Sequence, residues 1–282
     1  MTYNELWHLL APTYGDGEAK AIAQMVYEVR FGLSLSDIYL GKDTQLSANS
    51  QAELAGIAER LQHQEPVQYI LGEASFCGRT FHVAPGVLIP RPETAELCQW
   101  ISQKHPVADG SPICPHILDI GTGSGCIAIT LALDIPHSQV TAWDISPAAL
   151  EIARENAQQL NADVTFEEVD ILSPIPPHHS PFDIIVSNPP YICNKEREQM
   201  EQNVLEHEPH TALFVPDEDP LLFYRTIAAY GLTALKPGGA LYFEINPIYA
   251  NEMLEMLSSM SYHDIEIKED QFGKPRMINA RR

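Results

Sequence analysis

The chain has 282 residues, 45% of them hydrophobic, and is therefore long enough to bury a substantial core and to form two domains. Its 38 acidic residues against 17 Lys and Arg give a formal charge of −21, whereas nucleic-acid-binding proteins are usually basic because Lys and Arg contact the phosphates. The sequence has no apolar run near the roughly 20 residues that span a bilayer, no signal-peptide pattern and no CxxC pair, which predicts a cytoplasmic protein that binds neither membrane nor nucleic acid.

Residues 1–72 follow a helical pattern and are predicted to form a small helical bundle. Thr2 and Glu5 match a capping box, the stretch EAKAIAQMVYEVRFG is predicted to end at Gly32, and a third helix is predicted before Glu65-Pro66. The predicted buried faces are Leu6, Leu9 and Leu10 in the first helix, Ile22, Met25, Val26 and Val29 in the second, and Leu54, Ile57, Ala58 and Leu61 in the third. No catalytic constellation is visible in this segment.

The pattern then changes to alternating strands and helices. Residues 73–90 are predicted to form a β-hairpin connector with a Gly-Arg turn, and residues 91–282 an α/β domain. Strands are predicted at HILDI, VTAWD, VTFEEVD, DIIVSN, ALYFEI and DIEIKED, and helices from Gly125, over 147–160, over 219–235 and from Pro247. This alternation requires right-handed crossovers and a largely parallel sheet with helices on both faces.

The loop SPIPPHHSP contains the adjacent His178 and His179, which are candidate metal ligands. Zinc sites in proteins usually combine histidine with cysteine or acidic ligands, and none lies close to this pair in the sequence. We therefore expect two surface histidines and no metal site.

A glycine-rich turn follows the first strand of the predicted sheet, in the stretch LDIGTGSGC. Gly121, Thr122, Gly123, Ser124 and Gly125 form this turn, and an apolar helix begins after it. Glycines at a strand-to-helix turn let a ligand approach the main chain. A P-loop requires Gly-Lys-Ser/Thr here, and a dinucleotide fingerprint requires its third glycine one position later. The spacing instead fits S-adenosylmethionine, which carries no phosphates.

Acidic residues end the second and third strand regions. Asp144 follows the second strand, where a carboxylate accepts the ribose hydroxyls of a bound nucleoside. Asp170 follows the third, where it is predicted to accept the adenine amine while Ile171 lines the ring. Each aspartate alone is more typical of a solvated strand end or a helix cap. Together, at the carboxyl ends of successive strands, they predict a nucleoside pocket.

The fourth strand ends in SNPPY, at the same edge of the sheet. Pro189 and Pro190 end strand pairing and make the turn stiff. The side-chain oxygen of Asn188 and the carbonyl of Pro189 are predicted to accept the two hydrogens of a planar NH₂ group, and Tyr191 to stack on that group. Such a turn would hold a weakly nucleophilic nitrogen against the methyl group of the donor.

The sequence resembles the peptide-chain release factor glutamine methyltransferases (the PrmC or HemK family) along nearly its whole length. The matching segments are EPVQYILGE (65–73), IPRPET (89–94), ILDIGTGSG (117–125), SNPPYI (187–192), EPHTALF (208–214) and FGKPRM (272–277). The resemblance implies a seven-stranded class I, Rossmann-like methyltransferase domain behind an N-terminal helical domain, residues 1–72, that docks the protein substrate. It further implies that class 1 release factors are the partners and that the glutamine of their Gly-Gly-Gln loop is methylated.

Several alternatives remain open at this point. An adenine amine methyltransferase of nucleic acid shares the cofactor turn and the NPPY motif, although the acidic composition is against it. A ribosomal protein glutamine is another possible acceptor. Arg91 and Glu93 either contact the protein substrate or form a structural ion pair. The chain also departs from the family pattern at Ala95, Asn246 and Tyr249, which form part of the wall around the substrate loop.

Overall fold

The structure is a computed structural model that describes residues 1–106, 114–175 and 181–282. His178 and His179 lie outside the described residues. The helices are α1 (Tyr3–Phe31), α2 (Leu35–Tyr39), α3 (Ala48–Gln62), α4 (Val67–Leu71), α5 (Pro92–Lys104), α6 (Cys126–Asp134), α7 (Pro147–Leu160), α8 (Gln202–His207), α9 (His210–Leu213), α10 (Leu222–Ala234) and α11 (Ala250–Ser259). The strands are β1 (Glu73–Phe76), β2 (Arg79–His82), β3 (His116–Ile120), β4 (Gln139–Asp144), β5 (Val164–Glu168), β6 (Phe182–Ser187), β7 (Ile192–Cys193), β8 (Phe214–Val215), β9 (Leu235–Glu244), β10 (His263–Glu269) and β11 (Pro275–Arg281).

The described residues form two compact units. One unit contains residues 1–73 together with 201–207, and the other contains residues 74–200 together with 208–282. The domain boundaries drawn from the sequence stay predictions. In the part of the chain that the structure describes, every helix is too short or too polar to cross a bilayer.

The smaller unit is a helical bundle whose first helix begins at the predicted capping box. The Thr2 hydroxyl accepts from the Glu5 amide, and the Glu5 carboxylate accepts from the Thr2 amide at 2.7 Å. Two predicted helices run together as α1, with a kink at Gly15 (φ 75°), and the helix ends at Gly32 in the left-handed conformation as predicted.

The buried face of the α3 helix is as predicted, and that of α1 differs in part. All four predicted α3 positions are buried, and so are Leu6, Leu10, Ile22 and Val26 in α1. Leu9 and Val29 are 38% and 39% exposed, so the prediction was wrong for both. The apolar stripe of α1 runs instead through Ala23, Val26 and Tyr27, which leaves Val29 at its flank.

The hairpin of β1 and β2 is present, with its turn one residue earlier than predicted. Cys77 and Gly78 occupy the turn with φ of 47° and 72°, as a two-residue hairpin turn requires. The backbone amide and carbonyl of His82 bond the side chain of Asn156 in α7, at 2.6 and 3.0 Å. Asn156 also donates to the carbonyl of Ser124 at 2.9 Å, which links the hairpin to the glycine-rich turn.

The larger unit contains a seven-stranded sheet in the order β10-β11-β9-β6-β3-β4-β5. The five strands β9, β6, β3, β4 and β5 are parallel, whereas β11 is antiparallel to both of its neighbours. Side chains that alternate along the strands pack against α5 and α6 on one face and against α10 and α11 on the other. The α/β fold class with seven strands is confirmed.

The topology places a crevice between β3 and β6. From β3 the chain winds outward through α6 to β4 and β5, and it then returns to β6 on the opposite side of β3. Neighbouring strands whose connections leave in opposite directions form the switch point at which ligands bind in open α/β sheets. The glycine-rich turn and the Asn-Pro-Pro turn both begin at this point.

Candidate active site

A cavity of about 360 Å³ lies in the larger unit at the carboxyl ends of β3, β4, β5 and β6. It lies within the range of small-molecule binding pockets. It is lined by the loops that follow these four strands, by residues from segments 86–94 and 209–214, and by Phe223 and Ile227 of α10. The sequence-predicted residues that line the cavity are Gly121, Thr122, Gly123, Ser124, Asp144, Asp170, Ile171, Asn188, Pro189 and Pro190. Gly125 and Tyr191 do not line it.

The three glycines of the turn have different physical roles. Gly121 and Gly123 have φ of 77° and 55°, and the space that a Cβ atom would occupy at each is open. Gly125 also has a positive φ (82°), but a Cβ there would lie 2.8 Å from Ile129 Cδ1 and 3.2 Å from Ala153 Cβ. The first two glycines expose the backbone to a ligand, and the third allows α6 and α7 to pack closely.

Asp119 holds the glycine-rich turn from inside the protein. Its Oδ2 accepts from the Thr122 hydroxyl at 2.7 Å and from the Ala128 amide at 3.2 Å, while its buried Oδ1 has no hydrogen-bond partner. Complete burial raises the pKa of this carboxyl to about 7, against the opposing effect of those two hydrogen bonds. Asp119 therefore joins β3 to the start of α6 at a cost in desolvation.

Asp144 lies beside the turn and lines the cavity. Its Oδ2 accepts from the Gly123 amide at 2.8 Å and its Oδ1 from the Ser146 amide at 2.9 Å. Burial raises the pKa of Asp144, and the backbone hydrogen bonds oppose that shift. Each carboxylate oxygen still has a lone pair for a further donor, so the carboxylate is fixed and can accept two hydroxyls.

Asp170 and Ile171 lie together beyond β5, on the same cavity wall. The Asp170 carboxylate accepts from the Leu172 amide at 2.9 Å and from the Ser173 hydroxyl at 2.7 Å. These local hydrogen bonds stabilise the turn after β5 and hold the carboxylate at the cavity.

The Asn-Pro-Pro turn is anchored to the neighbouring strand and to α5. The hydroxyl of Ser187 donates to the Ile120 carbonyl at 2.6 Å, which joins the ends of β6 and β3. The side-chain nitrogen of Asn188 donates to the Thr94 hydroxyl at 3.2 Å. Asn188 and the two prolines face the cavity, so the amide oxygen of Asn188 is available there.

Tyr191 lies behind the turn. Its hydroxyl donates to Oε1 of Glu244 at 3.1 Å, and burial raises its pKa. The ring packs against the hydrophobic cluster beneath α10 and α11, and Asn246 donates to its backbone carbonyl at 3.2 Å. This position does not support the predicted stacking on an acceptor. Asn246, which departs from the family pattern, thus contacts the turn through the Tyr191 carbonyl.

The sequence left the role of Arg91 open between a contact with the protein substrate and a structural ion pair. Arg91 forms an ion pair with Glu208, whose side chain is 1% exposed and whose other oxygen accepts from the Ile89 amide at 3.2 Å. This pair ties the IPRPET segment to the EPHTALF segment, and it is a structural role for Arg91. Sequence reasoning missed Thr94, which lines the cavity, and the buried Glu244 bonded to it. The only signal in the sequence was that IPRPET and EPHTALF are both family motifs. That signal did not indicate that the two segments contact each other.

The residues present fit an S-adenosylmethionine molecule. Among the described residues that line the cavity, Arg91 is the only basic one, and Glu208 neutralises it. The lining therefore offers no counter-charge to a di- or triphosphate, whereas two carboxylates and an exposed glycine backbone fit a nucleoside without phosphates.

This fold and site define a class I methyltransferase that uses S-adenosylmethionine. A Thermus thermophilus 16S rRNA N2 G1207 methyltransferase in complex with AdoMet and guanosine superposes with a TM-score of 0.52 at 18% identity, over 74% of this chain and 49% of that chain. A Pyrococcus furiosus methyltransferase has a TM-score of 0.52 at 18% identity, over 83% of this chain and 98% of that chain. At these identities the likeness concerns the fold alone.

The sequence comparisons narrow the class to one family. The family described as "Methyltransferase small domain" matches residues 109–212, and the "PrmC N-terminal domain" matches residues 8–72. The release factor glutamine methyltransferase of Bacteroides thetaiotaomicron is 51% identical over 97% of this chain and 96% of that protein. The protein of the same description from Flavobacterium psychrophilum is 42% identical, over 96% and 94%. The chain belongs to the release factor glutamine methyltransferase family.

Proposed function

We propose that the protein transfers a methyl group from S-adenosylmethionine to the side-chain amide nitrogen of the glutamine in the Gly-Gly-Gln loop of class 1 release factors. The observation that carries this proposal is the Asn-Pro-Pro turn at the cavity, where Asn188 is held through its nitrogen and presents its oxygen. Membership of the family, with near full-length similarity, supports the release factor as the substrate.

On the donor side, Asp144 is the proposed acceptor of the two ribose hydroxyls. Its carboxylate is already fixed by the amides of Gly123 and Ser146, so little ordering is needed on binding. Asp170 accepts the adenine amine, and Ile171 covers one face of the ring. The backbone from Gly121 to Ser124 lies along the remainder of the donor.

On the acceptor side, the turn binds a primary amide. The oxygen of Asn188 and the carbonyl of Pro189 accept its two hydrogens. These two hydrogen bonds orient the nitrogen for an in-line attack on the methyl group. The bound donor supplies a methyl group activated by its sulfonium. The amide nitrogen would form the new bond to the methyl carbon, and the electrons of the broken sulfur–carbon bond would leave with the neutral thioether. The two acceptors stabilise the positive charge on the nitrogen until one proton leaves to solvent.

Mass spectrometry of a release factor after incubation with enzyme and donor tests the proposal. We expect one added methyl on the glutamine of the Gly-Gly-Gln loop. The same factor with Gln replaced by Asn is the matched control, and it should stay unmodified because its amide is one methylene too short. Methyl groups on the Asn factor at a comparable rate, or on DNA, would contradict the glutamine assignment.

A further inference from the structure

Behind the Asn-Pro-Pro turn, a chain of hydrogen bonds leads from Asn188 into the protein interior. Asn188 Nδ2 lies 3.2 Å from Thr94 Oγ1, and Thr94 Oγ1 lies 2.6 Å from Glu244 Oε2. The other carboxylate oxygen of Glu244 accepts from the Tyr191 hydroxyl. Thr94 comes from the first turn of α5, Glu244 is the last residue of β9, and Asn188 follows β6. Three separate secondary-structure elements are therefore joined by this series of hydrogen bonds.

The chemistry of these groups fixes the direction of each hydrogen bond. The Thr94 hydroxyl donates to Oε2 of Glu244 and the Tyr191 hydroxyl donates to Oε1, so Glu244 accepts from both. The single proton of Thr94 is then used, and its oxygen can only accept from Asn188. The NH₂ group of Asn188 therefore faces Thr94.

The surroundings of Thr94 and Glu244 favour these hydrogen-bond directions. Thr94 and Glu244 are 3% and 1% exposed, so water does not compete for their hydrogen bonds. Arg276 supplies positive charge near Glu244 and is itself paired with Asp270. Burial raises the pKa of Glu244, while the two hydroxyls and Arg276 act in the opposite direction.

The direction of the Asn188 amide decides what the cavity can bind. With the NH₂ group on Thr94, the oxygen faces the cavity and can accept from a substrate amide. If the amide were turned by 180°, its NH₂ group would meet the NH₂ group of the substrate, and two donors would oppose each other. The acceptor nitrogen would then lose its place in line with the methyl group.

We propose that Thr94 is a positioning residue that, through its bond to Glu244, keeps the carbonyl oxygen of Asn188 turned toward the acceptor amide. This proposal rests on the proposed function, since it concerns the same methyl transfer. Thr94 touches neither reacting atom, and its influence passes through Asn188.

The test compares Thr94→Val with Thr94→Ser in the full-length protein. Valine keeps the shape of threonine but removes the acceptor for Asn188, whereas serine keeps the hydroxyl. For Thr94→Val we expect kcat toward the release factor to fall by about 10- to 100-fold, with little change in KM, because misplacement acts on the transition state. Thr94→Ser should restore most of that loss, and donor affinity measured by calorimetry should be unchanged in both.

Thr226→Val is the matched control. The Thr226 hydroxyl donates to the Leu222 carbonyl within α10, so the same substitution there should leave kcat unchanged. If Thr94→Val does not bind donor, Thr94→Ala replaces it, because alanine favours the helix and also removes the hydroxyl. If the variant without the hydroxyl reacts at the wild-type rate, the positioning role of Thr94 is overturned while the proposed function stands. The same follows if Thr94→Ser is as slow as the variant without the hydroxyl. An inactive wild-type enzyme would instead overturn the proposed function.

Discussion

At the scale of single residues, the strongest expectation concerns Asp144. Asp144→Ala removes a carboxylate that is already oriented by two backbone amides and that is proposed to hold the ribose hydroxyls. Donor binding should weaken by roughly 1.5–3 kcal/mol, the range for losing charge-assisted hydrogen bonds. Isothermal titration with S-adenosylmethionine measures this loss. The exposed Asp163, just before β5, provides the control, since Asp163→Ala should bind donor like the wild type.

Asp119 should make stability depend on pH. Its pKa is about 7 in the folded protein, above the usual 3.8, so protonated Asp119 favours folding. That contribution is fully present below about pH 4 and is lost as the pH rises through 7, by at most about 4 kcal/mol. Asp119→Asn keeps the shape and does not titrate.

Urea unfolding of the donor-free protein at several pH values measures this effect. Relative to wild type, Asp119→Asn should gain stability steadily from pH 4 to pH 7 and then show a constant difference. A difference that does not vary with pH would mean that Asp119 is already ionised at pH 4 in the folded state.

At the scale of elements, the packing of α6 against α7 depends on Gly125. Gly125→Ala forces an L residue into a left-handed conformation and places its Cβ 2.8 Å from Ile129. Gly273→Ala is the matched control, since Gly273 has φ of 75° and open space around it. We expect a loss of about 1–2 kcal/mol for Gly273→Ala from the backbone alone, and about 1–3 kcal/mol more for Gly125→Ala from the contact. Denaturant unfolding separates the two, and equal losses would show that α6 shifts without cost.

The regular elements of the larger unit follow from their hydrophobic patterns. Helix α7 was predicted at 147–160 and spans Pro147–Leu160, because Ser146 caps it, Pro147 starts it and Asn161 ends it in a left-handed conformation. Helix α5 was missed, although Pro92 and Glu93 at its start are typical of a helix N-terminus. Strand β11 was also missed as a strand, since only its first three residues were noted, within the family motif FGKPRM. The predicted helix at Pro247 begins as a 3₁₀ turn (Pro247–Tyr249) before α11.

The candidate site was predictable where it depends on strand ends and unpredictable where it depends on tertiary contacts. Glycines and acidic residues that follow successive parallel strands must converge at one edge, so Gly121, Asp144, Asp170 and Asn188 could be placed together. The position of Tyr191 depends on Glu244, which lies 53 residues away and on another strand. Side-chain direction at such a turn is set by packing, and the local pattern does not contain that information.

At the scale of the whole molecule, the helical residues 1–72 are expected to serve in recognition of the release factor. A chain that begins at residue 74 keeps all the strands of the seven-stranded sheet and every residue that lines the cavity. It should bind donor with unchanged affinity and methylate the intact release factor poorly. Calorimetry and single-turnover methylation measure the two properties. Full activity of the shortened chain would show that the helical residues do not take part in recognition.

The bond between Thr94 and Glu244 joins residues that are 150 positions apart in the chain, and the pair of Arg91 with Glu208 spans 117. Contacts of such long range form late, because the entropy of closing a large loop must be lost before they can contribute. A folding intermediate in which β9 has not yet joined the sheet would therefore lack the acceptor site, even if its helices had already formed. Methyl transfer thus reports that β9 has joined the sheet, so the recovery of activity during refolding should lag behind the recovery of helical circular dichroism.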